Sequence, residues 1–141
     1  MQIAGPHIEQ IPAELTWNLR HQVMYPEKEL NDVKLENDED GIHFGLFDHN
    51  KLIGIVSWFK LDNKAQFRKL AIVEEFQGKN YGTLLMEYII AFSKTENAEL
   101  LWCNSRVSAA GFYTKFGFKP TGNTFKKDGH DFEIMELSLN N

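Results

Sequence analysis

The sequence predicts an α/β (α+β) fold, a mixed sheet of about six or seven strands covered by about three or four helices. Three observations predict it. Two strand-like runs, "IHFGLF" and "LIGIVSWF", flank the turn "DHNK", and a third, "AQFRKLAIV", follows "LDNK", so the middle of the chain is a meander. Helix-like and strand-like segments then alternate. Finally, "KPTGNTF" and "HDFEIMELSL" lie either side of "KKDG" as a closing hairpin.

Each element has its own signal. In "IPAELTWNLRHQVMYP", Pro12 suits the first turn of a helix, Leu15, Leu19 and Val23 recur at helical spacing, and Pro26 ends it. A strand before this helix is left open. After the meander, "VEEFQGKNYGTLLMEYI" starts a second helix with Tyr81, Leu84, Leu85, Tyr88, Ile89 and Phe92 on one face. "ELLWCN" is a short apolar strand ending at Asn104, and "RVSAAGFYTKFGF" is a brief helix stopped at Gly117.

At 141 residues, with 43% hydrophobic and 25% charged residues, the chain reads as one globular domain, residues 1–141. There is no run of about 18 apolar residues and no signal-peptide pattern at the start, so no membrane association is expected. The single cysteine, Cys103, fits a reducing compartment, and a cytoplasmic location is expected. Between Glu27 and Asp40 lie seven acids and two lysines, which carry the whole net charge of −5. The rest is neutral overall, which argues against nucleic-acid binding. The acidic stretch is either a solvated loop or a surface that favours a cationic partner.

The stretch "QGKNYG" sits where a strand-like run becomes a helix. A helix start carries unpaired N–H groups and partial positive charge, and so takes phosphate readily. Gly78 and Gly82 offer backbone freedom, Asn80 tolerates left-handed geometry, and Lys79 adds a charge.

This loop resembles the acetyl-CoA-binding motif Q/R-x-x-G-x-G/A of the GNAT superfamily of N-acetyltransferases, here Gln77-Gly78-Lys79-Asn80-Tyr81-Gly82, with Asn80 in the middle glycine slot. Downstream, Ala109, Tyr113, Gly117 and Phe118 resemble the family's helix after the fifth strand. The resemblance implies a mixed, mostly antiparallel sheet splayed between its fourth and fifth strands. It also implies direct transfer of an acetyl group from acetyl-CoA to a small-molecule or peptidyl amine, without a metal; homodimers are common in the family. A GNAT-like module that binds CoA or acyl-CoA without turnover is the alternative.

Under this resemblance the N–H groups of Gln77, Gly78, Lys79, Asn80, Tyr81, Gly82 and Thr83 hold the pyrophosphate, and those of Leu70 and Ile72 polarise the thioester carbonyl. Leu70 and Ile72 also read as plain core strand. Tyr113 takes the general-acid position. A phenol near 10 protonating a thiolate near 8.5 is uphill by roughly 2 kcal/mol, so a hydrogen bond to the thiolate serves as well as proton transfer. An amine near 10.4 needs a base, and Glu74, Glu75, His43 or a water relay are the candidates. Asn104 either pairs with the pantetheine arm or caps the next helix. Arg106 contacts substrate, cofactor or a nearby carboxylate; Cys103 points into the core, with a covalent acyl-cysteine as the minor alternative because no His lies near it in sequence.

Overall fold

The computed structural model describes residues 5–139. They form two compact units, one drawn from the residues up to Phe59 and from Lys69–Ile89, the other from Lys60–Arg68 and the residues from Ile90 onward. In chain order the elements are β1 (His7–Ile11), α1 (Glu14–Leu19), β2 (Ile42–Asp48), β3 (Lys51–Leu61), β4 (Lys64–Ile72), α2 (Tyr81–Thr95), β5 (Leu100–Arg106), α3 (Ala110–Thr114), β6 (Lys119–Lys127) and β7 (His130–Ser138). The strand before the opening helix is present, and Ile11 pairs with His43 at its end.

The seven strands form one mixed sheet in the order β1-β2-β3-β4-β5-β7-β6. β1–β2, β2–β3, β5–β7 and β6–β7 run antiparallel, whereas β4–β5 is parallel. The parallel ladder is short, from Lys64 opposite Leu100 to Gln66 opposite Trp102, although both strands run on to Ile72 and Arg106. Hairpins form where the turn chemistry allows. His49 and Asn50 have φ of 50° and 65°, and Asp128 and Gly129 have 51° and 77°. Two successive left-handed residues match the twist of the flanking strands.

In the first unit, Ile11, Leu19, Ile55, Ala71 and Val73 form a buried cluster, with Val23, Met24, Phe47, Leu52 and Phe76 packed on it. The opening helix differs from its apolar pattern. Leu15 is 47% exposed, whereas Thr16 and Arg20 are fully buried. The helix widens after Leu19 into a π-helical turn, Arg20–Met24, closed by Tyr25 N–H to the Arg20 carbonyl at 3.1 Å. This extra residue per turn rotates later side chains away from a 3.6-residue face. The acidic stretch contains two short 3-10 turns, Leu30–Val33 and Asp38–Asp40.

The inward face of α2 is also rotated from the expected one. Leu85, Met86 and Ile89 are buried, but Leu84 and Tyr88 are 39% and 37% exposed. Tyr88 still packs its ring edge-on to Phe44. In the second unit, Ala65, Phe67, Leu101, Cys103, Phe118, Met135 and Leu139 are buried. β5 extends to Arg106, two residues past the expected end, because its antiparallel ladder with β7 continues to Phe132. A 3-10 turn, Val107–Ala109, then precedes α3, so the helix proper is shorter than "RVSAAGFYTKFGF" predicts. No helix among the described residues is long and apolar enough to cross a membrane.

Candidate active site

In the first unit the relevant residues lie on the end of β4 and on the loop leading into α2. Lys69 is in the left-handed region, φ 58°, in the middle of a strand. For a long side chain this costs about 1–2 kcal/mol, so its surroundings must hold it there. They include Tyr25, whose hydroxyl accepts a hydrogen bond from Lys69 Nζ at 2.6 Å. The ammonium lies 4.6 Å from the ring centroid, beside the hydroxyl. Leu70 and Ile72 follow, both half-buried, between the buried Ala71 and Val73. Gly54 makes room for this strand end, since a Cβ there would meet Ile72 Cδ1 at 2.7 Å.

The loop begins with a 3-10 turn, Glu74–Phe76. Gln77 is tied back at two points: its N–H donates to the Glu74 carbonyl and its side-chain amide to the Ile72 carbonyl, at 3.1 and 2.9 Å. Its own N–H therefore faces protein, unlike the expectation for a phosphate-holding group. Gly78 has φ 77° and Asn80 φ 69°. Asn80 thus takes the left-handed geometry that its glycine slot requires. Gly82 lies inside α2 and uses no such freedom. Nothing stands within 4 Å of a Cβ added at Gly78, so this side of the loop is open. Lys79 is exposed, with Nζ 5.6 Å from the Phe76 ring centroid. Tyr81 donates its hydroxyl to Asp48 at 3.1 Å and sets its ring edge-on to Phe76, anchoring the start of α2. The N–H groups of Tyr81, Gly82 and Thr83 belong to the first helical turn, whose donors have no partner within the helix.

In the second unit, Tyr113 on α3 is held in an aromatic cluster. Its ring lies 5.6 Å from Phe67, 5.2 Å from Phe112 and 6.0 Å from Phe118. Burial raises its hydroxyl pKa above the ordinary phenol range, and the neighbouring Cys103 adds to the rise. The phenol therefore stays protonated at any working pH. Cys103 is buried on β5, and burial pushes its thiol up to about 12. A thiol held so firmly neutral is a poor nucleophile. Asn104 is exposed within β5, opposite Ile134. The next turn has Arg106 at its N-cap position with no side-chain cap, so Asn104 does not cap it. Arg106 is exposed.

The candidate bases separate clearly. Glu74 and Glu75 are exposed. His43 is buried and bonded at both ring nitrogens, to Ser57 Oγ at 2.7 Å and to the Asp38 carbonyl at 2.8 Å. The carbonyl only accepts, so Nε2 donates to it. Arg20 is also buried, and donates to both Asp38 carboxylate oxygens at 2.9 Å, to Ser57 Oγ at 2.9 Å and to the Val33 carbonyl at 3.1 Å. Burial alone would raise the Asp38 carboxyl. The Arg20 bonds and charge, the Leu35 N–H and the Trp17 indole outweigh it and hold the carboxyl below its usual range. The Ser, His and Asp here resemble a hydrolytic set by residue type only. Ser57 is fully buried, and the Asp38 carboxylate binds Arg20 rather than the imidazole.

Tyr25 and Lys69 had no sequence signal. Left-handed positions are read from Gly, Asn or Asp, and a lysine in a strand announces none. Among the described residues no group of three or more His, Cys, Asp or Glu is arranged to hold a metal.

Comparison with known proteins bears on this arrangement. Residues 12–139 match the family model "Acetyltransferase (GNAT) domain". The chain is 25% identical over 131 residues to the uncharacterized N-acetyltransferase YitI of Bacillus subtilis, covering 86% of this chain and 88% of that protein. Its fold matches a GNAT family acetyltransferase from Elizabethkingia anophelis with acetyl-CoA bound, with a TM-score of 0.76, 20% identity and coverage of 95% and 98%. It also matches the ribosomal-protein-S18-alanine N-acetyltransferase from Escherichia coli, with a TM-score of 0.78, 17% identity and coverage of 95% and 94%.

Proposed function

We propose, from the premise that the chain belongs to the GNAT acetyltransferase family and is an acyltransferase, that it moves an acetyl group from acetyl-CoA directly to a primary amine within a ternary complex. The observation that carries this reading is the loop conformation. Gly78 and Asn80 are both left-handed immediately ahead of the 15-residue helix α2, and the Gly78 side is open. Such a loop presents backbone donors to an anionic group at a helix start.

Acetyl-CoA, when bound, supplies the activated thioester. The N–H groups of residues 78 to 83 hold its pyrophosphate, with Gln77 bracing the loop against Ile72. The N–H groups of Leu70 and Ile72 donate to the carbonyl oxygen, where negative charge develops; a donor of this kind is worth about 3 kcal/mol in other enzymes. Tyr113 donates a hydrogen bond to the departing sulfur. Its raised pKa widens the gap to a thiol, which favours hydrogen bonding over complete proton transfer. Cys103 is too firmly protonated to carry an acyl group, which supports direct transfer. Glu74, Glu75 or water takes the amine proton. Glu27, Glu29, Asp32, Glu36, Glu39 and Asp40 are all exposed, which favours a cationic acceptor; Asp38 alone faces inward. The buried single cysteine suits a cytoplasmic enzyme.

The test is thiol release from acetyl-CoA against a panel of cationic and neutral amines. The expected result is turnover with intersecting initial-velocity lines. Parallel lines would indicate a covalent intermediate and refute direct transfer. Tight CoA binding without release from any amine would make the chain a binding module.

A further inference from the structure

Three irregularities in the first unit meet at one hydrogen bond. The opening helix widens into the π-helical turn Arg20–Met24, which delivers Tyr25 at its end. Tyr25 itself leaves the helix with φ −138° and ψ 56°, ahead of Pro26. Its hydroxyl then takes the Lys69 ammonium at 2.6 Å, and Lys69 is the residue of β4 that stands in the left-handed region. A regular helix would carry Tyr25 about 100° further round its axis for each residue of difference, so the widened turn is what aims the ring. A regular strand would not need the clasp at all.

We infer that Tyr25 and Lys69 act together as positioning residues. Their hydrogen bond holds the left-handed backbone at Lys69 and thereby fixes the direction of the next peptide N–H, that of Leu70. This rests on the proposed function, in which the Leu70 N–H polarises the thioester carbonyl. The oxyanion position is sensitive to small rotations, because a donor must meet the oxygen of the transition state at hydrogen-bonding distance. Neither side chain touches the reacting atoms in this account; each acts through the Leu70 backbone.

The chemistry separates positioning from packing. Lys69→Met keeps most of the side-chain bulk, loses the ammonium and must still adopt an unfavourable φ, so its backbone relaxes. Lys69→Gly loses the whole side chain but adopts positive φ without penalty. A positioning role therefore predicts that glycine outperforms methionine, whereas a packing role predicts the reverse.

The experiment compares Tyr25→Phe, Lys69→Met, Lys69→Gly and the Tyr25→Phe/Lys69→Met pair, using acetyl-CoA with an amine that the wild type acetylates. The Leu70 amide signal is followed by 15N NMR in the protein without ligand. Tyr25→Phe and Lys69→Met should each lower kcat by about 10- to 100-fold, with the KM for acetyl-CoA little changed. The double variant should be no worse than either single one, because both remove the same contact. Lys69→Gly should recover kcat toward wild type, and the Leu70 amide shift should move in Tyr25→Phe and Lys69→Met but stay near the wild-type position in Lys69→Gly. Wild-type kcat in Tyr25→Phe, or Lys69→Gly falling below Lys69→Met, would overturn the inference. A wild type that binds acetyl-CoA but turns over no amine would refute the transferase reading instead. An unmoved Leu70 amide in Tyr25→Phe would overturn the clasp independently of activity.

Discussion

In the unit that contains β1 to the body of β3, polar groups are taken inside as a connected set. Arg20, Asp38, Ser57 and His43 are all buried, and the Trp17 indole and Leu35 N–H join them. In the unit that contains β5 to β7, the buried polar side chains among the described residues are the small hydroxyls of Ser93 and Ser105. Its interior includes Phe67, Phe118 and the Cys103 thiol, with the half-buried Tyr113 against them. The first solution fixes backbone through named partners and depends on a charge that must be balanced. The second depends on two acidic groups staying neutral. The two regions should therefore fail at opposite ends of the pH scale.

The largest effect should come from breaking the balance in the first unit. Asp38→Asn leaves the Arg20 cation buried without its counter-charge, and should cost about 3–5 kcal/mol in urea unfolding. Because the Asp38 carboxyl is held below its usual range, its contribution is present above about pH 4 and fades as the pH falls through its lowered value. Acid unfolding at a higher pH in the variant checks the link. Equal acid midpoints would detach Asp38 from the account.

The alkaline side is next in size. The thiol of Cys103 rises from 9.0 unfolded to about 12 folded, so its contribution is intact below about pH 9 and is lost as the pH climbs toward 12. The slope is at most about 1.4 kcal/mol per pH unit. Tyr113 adds to this loss above about pH 10, since its hydroxyl is also shifted upward. Cys103→Ala should flatten the fall in stability between pH 9 and 11, measured by urea unfolding at each pH. An unchanged slope would mean that the thiol ionises freely in the folded chain.

Two smaller changes sharpen the comparison within the first unit. Asn80→Ala keeps φ 69° only at a cost of about 1 kcal/mol, and should weaken acetyl-CoA binding when titrated. Leu84→Gln, on the exposed side of α2, should change stability by no more than about 0.5 kcal/mol. A loss of several kcal/mol would restore Leu84 to the core.

The order of strands and helices was legible because turns and periodicity are local. "DHNK" and "KKDG" name residues that accept left-handed geometry, and Asn50 and Gly129 adopt it. Asn80 was legible for the same reason. The family was legible through the spacing of two motifs, Gln77 to Gly82 and Ala109 to Phe118. The buried face of α2 lies about one residue round from the expected one, because its stripe of apolar residues is broad enough to include both Leu84 and Met86. Arg20 and Asp38 stand 18 residues apart, and nothing local marks a buried ion pair at that distance. Lys69 was illegible because a lysine announces no left-handed backbone and its hydrogen-bond partner Tyr25 lies 44 residues away.

The central claim is that Tyr113 serves the departing sulfur and does more than pack α3. The direct measurement is kcat for thiol release by Tyr113→Phe against wild type, beside the acetyl-CoA dissociation constant of each. The account predicts a kcat lower by about 100-fold or more with the dissociation constant little changed. An unchanged kcat would contradict it and leave Tyr113 as one ring among the aromatic residues around Phe67.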